Sequence, residues 1–183
     1  GAGKTGGTVL LFGHHANHTA LPLPHGVMMP FTDEWLVPTV EPLVAPDTMA
    51  SLRRDQAGAN FSLWEALVQR RALTDQQVVD AVAQRFRLPV ADLTSSEEAA
   101  RDAVPEALAR RYGVLPLRIT DSLLEVATAN PFDFGAEKDL SFATGREVRL
   151  LLAPPTRLRD KIDELYRPDE VISKLLGGMD ARV

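Results

Sequence analysis

The spacing of apolar side chains changes near residue 60. Within Pro22–Pro46, apolar residues follow neither a two-residue nor a 3.6-residue period, and this stretch holds six of the chain's 13 prolines. Proline lacks a backbone N–H and interrupts regular helices and strands. The pattern therefore predicts a largely irregular leader or linker over residues 1–60, in which Phe31, Trp35 and Leu36 are candidates for docking on a folded domain.

Helix signals become regular from residue 61 onward. Ser62 and Thr74 are each followed three residues later by Glu or Gln. This is the capping-box spacing, in which the two side chains satisfy the first backbone donors of a helix. The two boxes predict a short helix that ends near Arg71 and a second helix that ends near Phe86.

Two more helices are expected before the first strand. One lies in the run TSSEEAARDA, and the other begins at Pro105 and ends at Gly113. Proline is favoured in the first turn of a helix, and glycine is favoured just past its end.

The next part of the chain predicts β structure. The apolar runs VLPLRI and LLEVAT are separated by three turn residues, which is typical of a hairpin. A helix that ends at Gly145, the strand EVRLLLA and a helix beginning near Pro155 follow. The predicted fold class is α+β: short N-terminal helices, then a small β-β-α-β-α domain. We expect that domain over residues 61–166, followed by a C-terminal short helix and linker over residues 167–183.

Composition narrows the classes of function. The 183 residues carry a formal net charge of −5 with no basic excess, so nucleic acid is not an expected partner. The absence of cysteine excludes disulfides, zinc sites built on thiolates and cysteine nucleophiles. No apolar run approaches the ~18–20 residues that a membrane helix needs, so no direct membrane insertion is expected. We expect a cytoplasmic protein.

Two motifs in the leader suggest chemistry that we do not expect. GAGKT resembles the end of a phosphate-binding loop, but a strand-like run follows it where such a loop requires a helix. His14 and His18 have a spacing that occurs in metal sites, but a zinc site needs three or four fixed ligands. The sequence therefore predicts no cofactor, no metal and no catalytic residues.

Three stretches within Val104–Tyr166 carry a family resemblance: VPEALARRYGVLPLR, LLEVATANPFDFGAEKDLSFATG and EVRLLLAPPTRLRDKIDELY. Together they resemble the N-terminal domain of type II secretion system protein E, which also occurs in type IV pilus extension ATPases. The matching positions are Pro105, Leu108, Ala109, Tyr112, Val114, Leu115, Pro116, Leu117, Leu123, Val126, Ala127, Asn130, Pro131, Asp139, Leu140, Phe142, Thr144, Gly145, Val148, Ile162, Leu165 and Tyr166.

The resemblance identifies a fold more securely than an active site, because nearly all of these positions are expected to set turns or fill a core. It implies a non-enzymatic adaptor or regulatory domain of a secretion or pilus motor. The implied partner is a protein, the cytoplasmic region of an inner-membrane platform protein, which would place the domain at the cytoplasmic face of that membrane.

One branch of this family offers an alternative function, the sensing of cyclic di-GMP. That branch carries repeats resembling R-L-G-x-x-L-V-x-x-G-x-I-x-x-x-Q-L, and residues 62–78 align with one of them. The chemically informative positions differ, because Ser62 stands at the arginine, and Trp64 and Arg71 stand at the glycines. The matching frame consists of Leu63, Leu67, Val68, Leu73 and Gln77.

A protein-binding patch is the other hypothesis for this helix pair. Trp64 with Arg70 and Arg71 offers an aromatic body beside planar cations that can pair with carboxylates. We expect the binding surface to include the helix pair 62–86, which the β-containing half should not need for its own core. The competing interpretation is that Trp64 is buried between the helices.

Overall fold

The computed structural model describes residues 31–55 and 60–166. Short 3₁₀ turns at Glu34–Leu36 and Glu41–Leu43 flank the first helix. The helices are α1 (Val37–Val40), α2 (Pro46–Asp55), α3 (Leu63–Gln69), α4 (Asp75–Phe86), α5 (Glu98–Ala103), α6 (Glu106–Tyr112), α7 (Phe134–Thr144) and α8 (Pro155–Leu165); the strands are β1 (Leu115–Ile119), β2 (Leu123–Thr128) and β3 (Glu147–Leu152).

The three strands form one mixed sheet in the order β1-β2-β3. β1 and β2 form the predicted hairpin, with Leu115 opposite Ala127. β3 runs parallel to β2, from the pair Leu123 and Glu147 onward. Parallel neighbours need a crossover connection, and α7 supplies it. The predicted α+β class and the β-β-α-β-α order are confirmed.

The predicted helix ends are also confirmed. Ser62 Oγ accepts a hydrogen bond from the backbone N–H of Glu65, and Thr74 forms a complete capping box. Gly113 and Gly145 follow α6 and α7 with φ of 61° and 66°. This left-handed conformation is strained for residues with a Cβ atom, which explains why glycine ends both helices.

The core has a helical part and two parts on opposite faces of the sheet. The helical part combines the segment 31–55 with α3 and α4, and it includes Leu152 of β3. One face of the sheet packs Leu124 and Val126 against α5, α6 and α7. The other face packs Leu117 and its neighbours against α8. Leu152 therefore connects the helical part of the core to the sheet.

The segment 31–55 differs from the predicted irregular leader, because most of it is helical. Pro38, Pro42 and Pro46 each lie in the first turn of a short helical element, where a missing N–H breaks no hydrogen bond. Proline density alone had suggested extended chain, whereas here it marks successive helix starts. The remainder of the predicted leader, residues 1–30, lies outside the described residues, as does the short helix predicted after residue 166.

Docking of the 31–55 segment is confirmed. Phe31 is buried, and Leu36 and Leu52 are completely inaccessible to solvent. Trp35 is half-buried and packs edge-on against Phe86 and Phe132, with ring centroids 6.4 and 5.1 Å away. The segment is therefore an integral part of the core.

Candidate functional site: the α3–α4 helix pair

The turn between α3 and α4 is a Schellman motif. The backbone N–H of Ala72 donates to the carbonyl of Leu67, and that of Arg71 donates to the carbonyl of Val68. Arg71 adopts a left-handed φ of 57°. Glycine usually occupies this position, and the cyclic di-GMP repeat has a glycine here. Arg71 thus adopts the left-handed backbone conformation that glycine usually adopts at this position.

The frame of the cyclic di-GMP repeat lies mainly in the core. Leu63 and Leu67 are fully buried, and Leu73 is 6% exposed. Val68 is half-buried against the same cluster. Gln77 is exposed, but its side-chain oxygen accepts a hydrogen bond from the backbone N–H of Thr74. All five frame positions therefore have structural roles in this chain.

Trp64 is also a core residue, with 1% of its surface exposed. Its indole N–H donates to Asp75 at 3.0 Å, a bond between the start of α3 and the start of α4. The buried alternative is therefore confirmed, and Trp64 cannot anchor a partner on the surface. The physical reason is that the segment 31–55 packs over α3, which the sequence analysis did not anticipate.

Arg70 and Arg71 are exposed, but their side chains have different surroundings. The guanidinium of Arg70 donates to Ser51 Oγ and to the carboxylate of Asp55, so it fastens the turn to α2. The hydrogen bond from Arg70 lowers the pKa of Asp55. Among the described residues, Arg71 forms no ion pair. The predicted three-residue patch is thus reduced to its two arginines.

Asp33 is an important residue of this site that the sequence did not indicate. Its carboxylate accepts hydrogen bonds from the backbone N–H of Leu63 at 2.6 Å and of Trp64 at 3.1 Å. The hydroxyl of Ser62 donates to it at 3.0 Å. The first turn of α3 therefore has its free donors satisfied by a carboxylate from 30 positions earlier, and no local sequence pattern signals such a contact.

The helix pair contacts the β-containing half, although the clusters on the two faces of the sheet contain no residue of α3 or α4. Leu152 of β3 belongs to the same buried cluster as α3 and α4. Arg159 of α8 forms an ion pair with Glu65 of α3. The backbone N–H of Ala91, just after α4, donates to the carbonyl of Leu152 at 2.8 Å. The helix pair and the sheet are joined at this point because the chain returns from α4 along the edge of β3.

Other site chemistry is sparse in the part of the chain that the structure describes. Residues 31–55 and 60–166 contain no group of three histidine, aspartate or glutamate side chains placed to hold a metal ion. No helix in these ranges is both long and apolar enough to cross a bilayer. The phosphate-loop-like GAGKT and the two histidines of the leader lie outside the described residues.

Comparison with known proteins identifies the domain. Residues 86–172 match the family model of the MshEN domain. The chain contains an N-terminal domain of the type II secretion and type IV pilus ATPase kind. The resemblance predicted from the sequence is thereby confirmed.

Two type IV pilus assembly ATPases named PilB are similar to this chain. The protein from Pseudomonas aeruginosa is 31% identical over 122 residues, which is 66% of this chain and 21% of that protein. The protein from Myxococcus xanthus is 23% identical over 128 residues, 69% of this chain and 23% of that protein. The chain thus spans about a fifth of the length of the curated relatives that it matches.

Two solved structures have a similar fold. The structure of MshE with cdg is 25% identical and has a TM-score of 0.56, with 72% of this chain and 96% of that chain covered. A structure of the N-terminal domain of XpsE is 18% identical with a TM-score of 0.52, covering 74% and 96%. The XpsE likeness concerns the fold alone.

The MshEN match places the candidate helix pair at the edge of the matched region. The match begins at Phe86, the last residue of α4. The sheet and α5 to α8 lie inside it, whereas α3 and nearly all of α4 precede it. The family match therefore covers the β-containing half. The helix pair lies almost entirely outside the match, and it is also where this chain differs from the cyclic di-GMP repeat at the arginine and glycine positions.

Proposed function

We propose that this chain acts as a non-enzymatic docking and regulatory domain of a type II secretion or type IV pilus assembly system. The observation that carries the proposal is the MshEN match, together with the similarity to pilus assembly ATPases over about a fifth of their length. A domain of this size beside a motor can position the motor on another protein without taking part in hydrolysis. The partner we propose is the cytoplasmic region of an inner-membrane platform protein.

The closed packing of the α3–α4 pair supports docking more than ligand binding. Asp33 fills the start of α3 with a carboxylate, and Trp64 fills the space between the two helix starts. What remains accessible at the turn is charged surface, mainly Arg70 and Arg71. Exposed connections between rigid helices are common places for partner contacts. We therefore propose these two arginines as part of a protein-binding surface.

A binding measurement tests the docking function. The 183-residue chain is immobilised, and the purified cytoplasmic region of the platform protein from the same host is titrated over it. We expect saturable binding that Arg71→Glu weakens, because Arg71 is exposed and carries no competing ion pair among the described residues. Arg157→Glu is the matched control, since it reverses an exposed arginine on α8. Absence of binding by the unaltered chain would overturn the proposed function.

Cyclic di-GMP sensing is the second candidate, favoured by one observation. The similar MshE structure is the one with cdg, an abbreviation of cyclic di-GMP, and the match covers 96% of that chain. In this chain, however, Ser62, Trp64 and Arg71 occupy the arginine and glycine positions of the repeat. A serine cannot stack on guanine as arginine does, and the buried indole of Trp64 has filled the space that a glycine would leave.

Calorimetry with cyclic di-GMP distinguishes the two candidates. We expect no binding tighter than the high-micromolar range for the complete chain. Binding with a micromolar or lower dissociation constant, weakened by Arg71→Glu, would make the second-messenger sensor the better assignment. Magnesium-dependent ATP hydrolysis by the same preparation, abolished by Lys4→Ala, would contradict the non-enzymatic role.

A further inference from the structure

Helix α7 carries two large apolar side chains on its outer side. Phe134 is 72% exposed and Phe142 is 93% exposed. Lys138 lies midway between them, also exposed. Residues four apart lie on one side of a helix, so the three form a stripe about 12 Å long. We call Phe134, Lys138 and Phe142 the outer stripe.

The opposite side of α7 packs on the sheet, which fixes the direction of the outer stripe. Ala136 and Leu140 are buried, with 2% and 0% of their surface exposed. Asp133 caps the helix start through the backbone N–H of Ala136. The hydroxyl of Tyr112 donates to Asp139 on the flank of the helix. The two phenylalanines are therefore held on a rigid element and point away from the core.

Neither phenylalanine is required by the helix or the core. Phenylalanine is a weaker helix former than leucine, lysine or glutamate, so a solvent-facing position gains nothing locally from it. A single exposed apolar residue is ordinary, but two of them two turns apart on one stripe form a local apolar surface. Phe142 matches the family pattern, and the sequence analysis expected a structural role for that position. The structure differs, because it places Phe142 on the surface, where a partner can contact the ring.

The charge between the phenylalanines specifies what the stripe can bind. Among the described residues, Lys138 forms no ion pair. A complementary helix would carry a carboxylate with an apolar side chain about one turn on each side. A second copy of this chain is a poor match, because an antiparallel pair of stripes centred on Lys138 opposes two ammonium groups.

We propose that the outer stripe is a docking surface for a helix of a separate protein that carries a carboxylate between two apolar side chains. The inference rests on the proposed docking function, to which it adds a second surface, separate from Arg70 and Arg71, and the chemistry of the partner helix. Large aromatic side chains dominate many protein interfaces, and one charge at the centre sets register and partner choice.

Two designed peptides test the proposal. Both are fluorescent, covalently stapled helices with leucine at two positions eight residues apart; the residue midway is glutamate in one and lysine in the other. Binding to the 183-residue chain is measured by fluorescence anisotropy. We expect the glutamate peptide to bind more tightly. Phe142→Ser should weaken it at least about tenfold, a loss typical of an interface anchor. Lys138→Glu should reverse the preference between the peptides.

Controls separate the stripe from nonspecific adhesion. Leu43→Ser removes another exposed apolar side chain, 50% accessible, and should leave peptide binding unchanged. Phe142→Ser should leave the melting temperature unchanged because the ring contacts little of the protein. Equal affinity for both peptides, or unchanged binding by Phe142→Ser, overturns the proposal. A concentration-dependent dimer in sedimentation that Phe142→Ser abolishes also overturns it and assigns the stripe to a second copy.

The stripe and the docking function can fail separately. If the unaltered chain binds the platform region and Phe142→Ser and Lys138→Glu bind it equally well, the stripe is excluded as that interface while the docking function stands. If the chain binds no platform region but shows the charge reversal with the peptides, the proposed partner is wrong and the stripe stands.

Discussion

The carboxylate of Asp33 lies 2.6 Å from the backbone nitrogen of Leu63, the first residue of α3. The same carboxylate accepts from Trp64 and from the hydroxyl of Ser62. It is 9% exposed, and its three donors satisfy it at the positively polarised end of the helix. This one side chain joins the segment 31–55 to the helix pair that carries the resemblance to a ligand-binding repeat.

Replacing Asp33 tests that connection. Asp33→Ala leaves the backbone donors of Leu63 and Trp64 buried without a partner, so we expect unfolding free energy to fall by about 2–3 kcal/mol. Asp33→Asn keeps one acceptor and should cost roughly half as much. Urea unfolding followed by tryptophan fluorescence measures both. Asp47→Ala, an exposed carboxylate on α2, is the control and should change stability little; equal effects of all three variants would contradict the capping role.

Trp64 provides a second test of the same region. Because its ring is buried, Trp64→Ala should lower the free energy of unfolding by about 3–5 kcal/mol. Arg70→Glu, on the exposed turn, should cost far less, since surface ion pairs contribute about 0–1 kcal/mol. Thermal unfolding of the two variants compares them directly. If Trp64→Ala melted like the unaltered chain, the indole would have to be on the surface after all.

Much of the fold could be predicted from local sequence signals. The capping residues Ser62 and Thr74, the stop signals Gly113 and Gly145 and the hairpin spacing each involve residues within a few positions of one another. Local backbone conformation decides such features, so a single sequence contains them. The family resemblance supplied the order of the same elements, and the structure follows it.

The candidate site could not be predicted in the same way because it depends on distant contacts. Trp64 is buried because residues 31–36 pack over α3, and Asp33 reaches the start of α3 from 30 positions away. The proline spacing in the leader is compatible with an extended chain or with repeated helix starts, and only tertiary packing decides between these two structures. The exposure of Phe142 is likewise invisible in the sequence, where an apolar residue in a helix suggests a core position.

Tyr166 predicts a specific loss of stability at alkaline pH. Burial raises the pKa of its phenol from 10.0 to about 12, with the charge of Arg101 acting in the opposite direction. The native state therefore favours the neutral phenol. Below pH 10 the associated stability is fully present, and it is lost as the pH rises from 10 to 12, because the unfolded chain ionises first. Urea unfolding at pH 8, 10 and 11 should show this decline.

Tyr166→Phe isolates that contribution. The variant lacks the hydrogen bond from the hydroxyl to the carbonyl of Val104 at 3.2 Å, so it should be less stable at pH 8. Its stability should fall less steeply than that of the unaltered chain between pH 10 and 11. The pKa of Tyr112 is also raised, mainly by its hydrogen bond to Asp139, and this contribution is common to both proteins. Parallel declines in the two proteins would show that Tyr166 does not titrate abnormally.

Arg71 allows the backbone geometry of the turn to be tested apart from its charge. Its φ of 57° lies in the left-handed region, which is strained for a residue with a Cβ atom. Arg71→Gly should therefore retain stability or raise it by about 0.5–1 kcal/mol, even though glycine makes the unfolded chain more flexible. Arg70→Gly is the matched control: Arg70 has φ of −81° and an ion pair with Asp55, so the same change should destabilise. Chemical denaturation of the two variants measures the difference, and destabilisation of similar size in both would show that position 71 is not strained.

Arg71→Gly also restores one glycine of the cyclic di-GMP repeat. We expect that this substitution does not raise the affinity for cyclic di-GMP, because Ser62 still stands at the arginine position and Asp33 still occupies the start of α3.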